Sequence, residues 1–516
     1  MRLSKLLPAL AITLAAASLA PPAAQALGPG GWDRLGSQVL YNNPASSLNG
    51  DVMAMSTDVP GLLIAGGKFT NAAGITGANK IAFWDGAAWH LLGPANSFIN
   101  GDVLAVAVAG GKIYAGGSFT DAGGDANADF LAVYDGTTWK HACTGGGLPF
   151  NGNVHALQVV GSNLYVAGTF AGVGGVPFTG GLARCNLATD VPTSTIVDTA
   201  HVFNGPVYAL TADSAGNLYA GGGFSNIENN PLSKNIARLP PAGVWTNVGV
   251  GPAACGCPVD DFVRALASDG TNVYVGSDFN NIAGIAQADH IAAWNGSSWH
   301  AVGSNAAGTD GYLPAGTSIA ALLASGGHLY ATGNNWLNVG GDPTADYLAD
   351  FDGTSWKPIG SNGAGDGALT AKGESFAMFH GVLHVGGNFT KAGGDNLASF
   401  LARYTGVPNN AITVGKVKAN PKNGTAKLPV AVPGSGSLTL QGKGIKSQRQ
   451  GVAGLRMVKP VSGAGTVKLK VKAKGKTLKK LKAHGKVKVK VTVTFTPTGG
   501  FPRSEVKTVK LKLSRS

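Results

Sequence analysis

One phrase recurs seven times along the chain: Gly66-Gly67-Lys68-Phe69-Thr70, Gly116-Gly117-Ser118-Phe119-Thr120, Ala167-Gly168-Thr169-Phe170, Gly222-Gly223-Phe224-Ser225, Gly276-Ser277-Asp278-Phe279, Gly333-Asn334-Asn335-Trp336 and Gly386-Gly387-Asn388-Phe389-Thr390. The aromatic anchors are spaced by 50, 51, 54, 55, 57 and 53 residues. A period near fifty corresponds to one four-stranded propeller blade per repeat.

The second copy shows how a repeat divides. Val103 to Val108 is an apolar strand, Lys112 to Phe119 a second, Phe130 to Tyr134 a third, and Trp139 opens a fourth after Asp135-Gly136. Equivalent turns occur at Asp85-Gly86, Asn295-Gly296 and Asp352-Gly353, each followed after two further residues by Trp89, Trp299 or Trp356. Such dipeptides supply the positive φ of a tight hairpin. Glycine pairs inside a strand mark a backbone approach too close for a side chain.

Most copies finish with a strand of the form Trp-x-x-apolar-Gly, at Trp89 to Gly93, Trp245 to Gly249, Trp299 to Gly303 and Trp356 to Gly360. The seventh copy stops at Leu401 to Gly406 without one, and the missing piece stands near the start of the chain as Trp32-Asp33-Arg34-Leu35-Gly36. A closed ring gains from splitting a repeat in this way, because the N-terminal strand covers the open edge of the last blade. The prediction is an all-β chain: a seven-bladed β-propeller closed by an N-terminal strand at 32–36, followed by a small β-sandwich.

These phrases resemble kelch-like propellers of the galactose-oxidase central-domain type, and more closely the bacterial delta-60 repeats, over residues 32–406. The resemblance implies a fold and not a reaction, since such propellers host many functions.

Charge is segregated along the chain. The formal net charge is +13, but from residue 407 onward 25 Lys+Arg face Glu505 alone, leaving 15 Lys+Arg against 26 Asp+Glu before it. Residues 1–26 read as a secretory leader, with Arg2 and Lys5 ahead of an apolar run and Ala24-Gln25-Ala26 as the cleavage site. Export is therefore expected, to a secreted or envelope-associated location. No later stretch is apolar for eighteen residues, so no membrane span is expected. The domain reading is leader 1–26, propeller 27–406, linker 407–415 and basic module 416–516.

In the basic module, strict alternation at Val467 to Lys472 and Val487 to Phe495 predicts strands with an apolar face and a Lys face. Further strands are expected at Ala426–Val432, Ser437–Gln441 and Val506–Leu513, with one helical turn around Thr477–His484. The module resembles Lys-rich immunoglobulin-like domains that end secreted bacterial proteins. Its charge has three readings: protection of strand edges from aggregation, attraction to an anionic wall polymer or membrane surface, and docking on the acidic propeller. Nucleic acid is not an expected partner, because Phe495 and Phe501 are the module's only aromatics.

Little points to catalysis. The phrase Asp135 to Trp139 lacks the residue that sialidase Asp-boxes carry between Asp and Gly. Galactose oxidases hold copper with two Tyr and two His, but His90 and His300 fill a slot that takes Lys140 and Lys357 in sister blades. His384 falls in the slot of Tyr114, Tyr165 and Tyr219. No H-E-x-x-H, G-x-S-x-G or P-loop motif is present, so no catalytic residue and no cofactor are assigned. Asp51, Asp102 and Asn153 begin successive inner strands and are candidate ligands for a cation at the channel mouth, with simple Asx-turns as the competing reading. Cys143, Cys185, Cys255 and Cys257 are disulfide candidates in an oxidising compartment; a Cys143–Cys185 bridge would close a 42-residue loop, and Cys255 with Cys257 could also hold a metal. The expected function is non-enzymatic binding by a monomer, with propeller loops taking a protein or glycan and the basic module associating with the envelope. The alternative is an extracellular carbohydrate-active enzyme with its site in loops such as Cys255–Asp261 or Asn305–Pro314.

Overall fold

The computed structural model describes residues 31–35 and 48–514 with short interruptions, the longer ones being 95–98, 145–148, 193–202, 251–257, 406–411, 446–456 and 498–502. The leader 1–26 and both Cys255 and Cys257 lie outside the described residues. The chain divides into two compact units, whose main segments are Arg34–Ser361 with Gly365–Tyr404 and Thr405–Ser516.

The first unit is a seven-bladed propeller. Its innermost strands are Val52–Ser56, Val103–Ala109, Val154–Val160, Val207–Ala212, Val263–Ser268, Ser318–Ser325 and Gly373–Phe379. Each heads an antiparallel sheet, and consecutive inner strands adjoin around the ring until Gly373–Phe379 meets Val52–Ser56. The last blade takes its outer strand from the N-terminus: Trp32–Arg34 pairs with Leu401–Tyr404. Trp32 is fully buried.

The glycine pairs explain how blades stack. A Cβ on Gly66 would lie 2.5 Å from Val103 of the next blade, and one on Gly386 would lie 2.6 Å from Val52, so the same fit repeats across the closure. Such approaches leave no room for a side chain. One junction inverts the sizes: Thr332 stands where the first glycine is expected, and the facing residue is Gly373 instead of valine. The Thr332 hydroxyl accepts from the Gly373 N–H at 2.8 Å and donates to the Tyr347 carbonyl at 2.6 Å. The aromatic anchors Phe69, Phe119, Phe170, Phe224, Phe279, Trp336 and Phe389 are all buried between blades.

A second regularity involves chemically unrelated residues. Lys80, Phe130, Asn235, His290, Tyr347 and Phe400 all adopt a left-handed backbone with φ near 60° just before the third strand of their blades. In each, the N–H donates to the carbonyl of the anchor aromatic and the carbonyl accepts from the strand before it, as in Lys80 to Phe69 and Gly67 to Lys80, both 2.8 Å. These paired bonds offset a conformation that L-residues disfavour by about 1–2 kcal/mol. Across blades, the indole N–H groups of Trp139, Trp299 and Trp356 donate to the carbonyls of Leu92, Val248 and Val302 at 3.2, 2.8 and 2.7 Å.

The second unit is a β-sandwich. One sheet orders its strands Thr413–Val414, Thr425–Val432 and Lys418–Asn420, with Gly465–Lys472 also pairing to Thr425–Val432; the other orders Met457–Val461, Gly436–Gln441, Lys486–Pro497 and Arg503–Lys512. Alternation sends Leu428, Val430, Leu469, Val471, Val491 and Phe495 into one core. Thr413–Val414 is a strand inside the stretch 407–415 read as linker. The expected single helical turn is a ten-residue helix, Gly475–His484, closed by Gly485 at φ 65° with its N–H on the Leu481 carbonyl.

Candidate functional site

The pairing of the first two strands slips by one residue at the same place in all seven blades, and the residues left out of register are Met53, Leu104, His155, Tyr208, Arg264, Ala320 and Glu374. A β-bulge releases one residue from the ladder and re-aims its side chain. Here the seven released residues, one per blade, line a single cavity of about 590 Å³. This is the propeller channel, and its size falls within the ~300–1,000 Å³ of ligand pockets.

The wall is asymmetric. Met53 and Leu104 form an apolar arc, and His155 and Tyr208 an aromatic one, with ring centroids 5.4 Å apart at 72°. Burial lowers the pKa of His155, which keeps it neutral. The remaining arc is charged: Arg264 is exposed to the channel, and Lys372 Nζ lies 3.0 Å from Glu374 Oε1. Asp278 Oδ1 and Glu374 Oε2 are buried and make no hydrogen bond among the described residues.

The expected cation ligands are placed differently. Asp51 Oδ2 is 3.5 Å from Lys68, Asp102 Oδ1 is 2.9 Å from Lys80, and the equivalent slot holds Asn153, Pro206, Phe262, Ser318 and Lys372 in the other blades. Among the described residues no three His, Cys, Asp or Glu are grouped to hold a metal. The nearby Asn49, Asn100, Asn151 and Asn204 clamp the turn after the glycine phrase, accepting from the N–H groups of Thr70, Thr120, Ala171 and Ser225 at 2.9, 2.9, 2.8 and 2.8 Å.

The slot after the blade tryptophan clasps its own hairpin. His90 Nε2 lies 2.7 Å from Asp85, Lys140 2.6 Å from Asp135, His300 2.7 Å from the Asn295 amide, and Lys357 pairs with Asp352. Cys143 and Cys185 form a disulfide with Cα atoms 5.6 Å apart. Of the two loops raised as enzyme sites, Cys255–Asp261 is described only from Pro258 onward, and Asn305–Pro314, described apart from 306–307, brings Asp310 beside Asp289. Burial first and then the neighbouring Asp310 carboxyl raise the pKa of Asp289 above the usual carboxylate range.

The sandwich carries an exposed lysine lattice. Lys486 faces Lys512 and Lys488 faces Lys510 on one sheet; Lys427 faces Lys470 on the other. Like charges directly opposite each other destabilise a sheet. The helix adds Lys474 at its N-cap and Lys476 in its first turn, with no acidic residue there, against its own dipole.

No family model matches the chain, and no curated protein matches it. Among solved structures it is similar to the extracellular domain of a one-component system of B. thetaiotaomicron, with 13% identity and a TM-score of 0.45 over 79% of this chain and 45% of that one. The extracellular domain of a hybrid two-component system of the same organism gives 10% identity and a TM-score of 0.40 over 94% and 58%. Saccharomyces cerevisiae Sqt1 gives 10% and 0.38 over 70% and 97%. The chain thus spans less than two thirds of the first two structures, and these likenesses carry no inference about ligand or activity.

Proposed function

We propose that the protein is an exported, non-enzymatic binding protein whose propeller, of the kelch-like or delta-60 type, presents a ligand site, while its immunoglobulin-like cationic module holds it to anionic polymers of the cell envelope. The opposed lysine pairs carry this reading. Lys510 and Lys470 lie on edge strands, where one charge suffices against aggregation, but each is faced by a second lysine, Lys488 or Lys427, on the strand inside, which concentrates like charge at a cost in stability. A surface of that kind is stabilised by a polyanion, each lysine contributing about 1 kcal/mol near an anionic layer. The test is retention of the full chain on anionic wall polymer as salt rises from about 0.05 to about 0.5 M. Release with salt supports the reading; absent or salt-insensitive retention leaves the lysines a solubility role.

A second reading, a carbohydrate-active enzyme, is favoured by one observation: His155, Tyr208, Asp278 and Glu374 line the same cavity. Release of reducing ends from envelope polysaccharides, abolished by Glu374→Gln, would establish it in place of non-enzymatic binding.

A further inference from the structure

We propose that the propeller channel binds a small zwitterion: a free amino acid or short peptide with an ammonium, a carboxylate and an apolar side chain. This goes beyond the envelope reading and is independent of it, because the groups concerned all belong to the channel wall between Met53 and Glu374.

Three features of the wall specify this class. Arg264 is delivered into the channel by its bulge and makes no ion pair among the described residues, not even with Asp278, which follows the neighbouring strand Val273–Ser277 of its own blade. A guanidinium in that state presents a fork of donors matched to a carboxylate. Two acceptor oxygens lie in the same arc: Asp278 Oδ1 and Glu374 Oε2 are buried without a hydrogen bond among the described residues, while the other oxygen of Glu374 is already held by Lys372 at 3.0 Å. Two carboxylates thus line the arc with unpaired acceptors behind their faces and one lysine, Lys372, to balance them, an arrangement that an added ammonium would stabilise. Finally, the arc continuing from Glu374 around the closure is Met53 and then Leu104, an apolar surface next to the charged one.

The ring therefore offers an anion seat, a cation seat and an apolar seat within one cavity of about 590 Å³, room for more than one amino-acid residue. A neutral sugar would supply hydroxyls to the two carboxylates but no counter-charge to Arg264 and no side chain for Met53 and Leu104. A simple anion would leave the carboxylate oxygens unpaired.

The test is calorimetric titration of the full chain with leucine and leucyl-leucine, then with leucyl-leucine methyl ester, N-acetyl-leucyl-leucine and glucose. Binding of a free zwitterion is expected, weakened at least about tenfold when either end is blocked. Arg264→Gln and Asp278→Asn should each weaken it to a similar degree. The blocked ligands act on the unaltered protein, so they decide the matter even if a variant folds poorly. The proposal is overturned if neither leucine nor leucyl-leucine binds, if blocked and free forms bind alike, if folded Arg264→Gln binds as well as the unaltered chain, or if glucose binds in preference to both.

Discussion

Cys143 is bonded to Cys185 at the two blade positions where, one blade earlier, Gly93 packs against Tyr134. Gly93 has φ 98°, and the tryptophan strands of other blades end in glycine at the same place with φ of 73–78°. Cys143 holds the slot at φ 60°, an unfavourable angle for any residue with a Cβ. The next blade lacks the usual aromatic pair, and the covalent bond substitutes for that contact.

Cys185→Ser should lower stability by about 4 kcal/mol on the loop-closure estimate for a 42-residue separation. In that background Cys143→Gly should be more stable than Cys143→Ala by about 1 kcal/mol, since only the backbone strain differs. Urea unfolding of the three variants measures both; equal midpoints for the Gly and Ala variants would show that the left-handed turn is not strained.

Gly386→Thr should obstruct Val52 at the ring closure and cost about 1–3 kcal/mol by overpacking. Adding Val52→Gly copies the inverted junction that Thr332 and Gly373 already form. The double variant is expected to recover at least ~1 kcal/mol relative to additivity. A double-mutant cycle by denaturant unfolding gives the coupling, and strict additivity would refute the size exchange.

His384 is held at a pKa of about 4 by burial, with the charge of Arg403 and the neighbouring His380 adding to the effect. Its Nδ1–H donates to the Val382 carbonyl at 2.9 Å. The unfolded value is near 6.5, so the unfolded chain takes up the proton first as pH falls. Stability is fully present above pH ~6.5, declines between ~6.5 and ~4, and loses up to ~3 kcal/mol from this residue. His384→Tyr, the residue of sister blades, should flatten that part of the profile measured by unfolding at pH 4 to 7. An unchanged slope would show that the imidazole charges without penalty.

Lys510→Glu should raise the stability of the sandwich by a few tenths of a kcal/mol, because it converts the Lys488–Lys510 opposition into an attractive pair. The same change should weaken retention on anionic wall polymer. Thermal unfolding and a binding assay on one preparation test the trade-off; unchanged retention would remove the lattice from the binding surface.

The blades and their closure were legible in the sequence because their determinants repeat: the glycine phrase, the Asp-Gly hairpins and the orphan Trp32 strand recur with the same chemistry at the same spacing. The channel was not, because Met53, His155, Arg264 and Glu374 share only a position. One residue in fifty, different in every copy, leaves no periodic trace, although in the first five copies it is the residue after the inner-strand valine and could have been tabulated. The left-handed residues from Lys80 to Phe400 were hidden for the same reason, since backbone pairing and not side-chain type holds them. The lysines beside Asp51 and Asp102, Lys68 and Lys80, are distant in sequence from the motif that singled out the two aspartates. The helix at Gly475–His484 exceeded the expected turn because its lysine-rich surface masked a short apolar stripe ending in the buried Leu481.

The seven bulges have an evolutionary consequence. Because each channel residue sits outside the strand ladder and outside the glycine–valine junctions, it can be exchanged without disturbing either. The ring can therefore carry seven independent side chains at its centre while the blades that hold them stay fixed. A scaffold of this kind can acquire a new ligand by point mutation without first losing its fold.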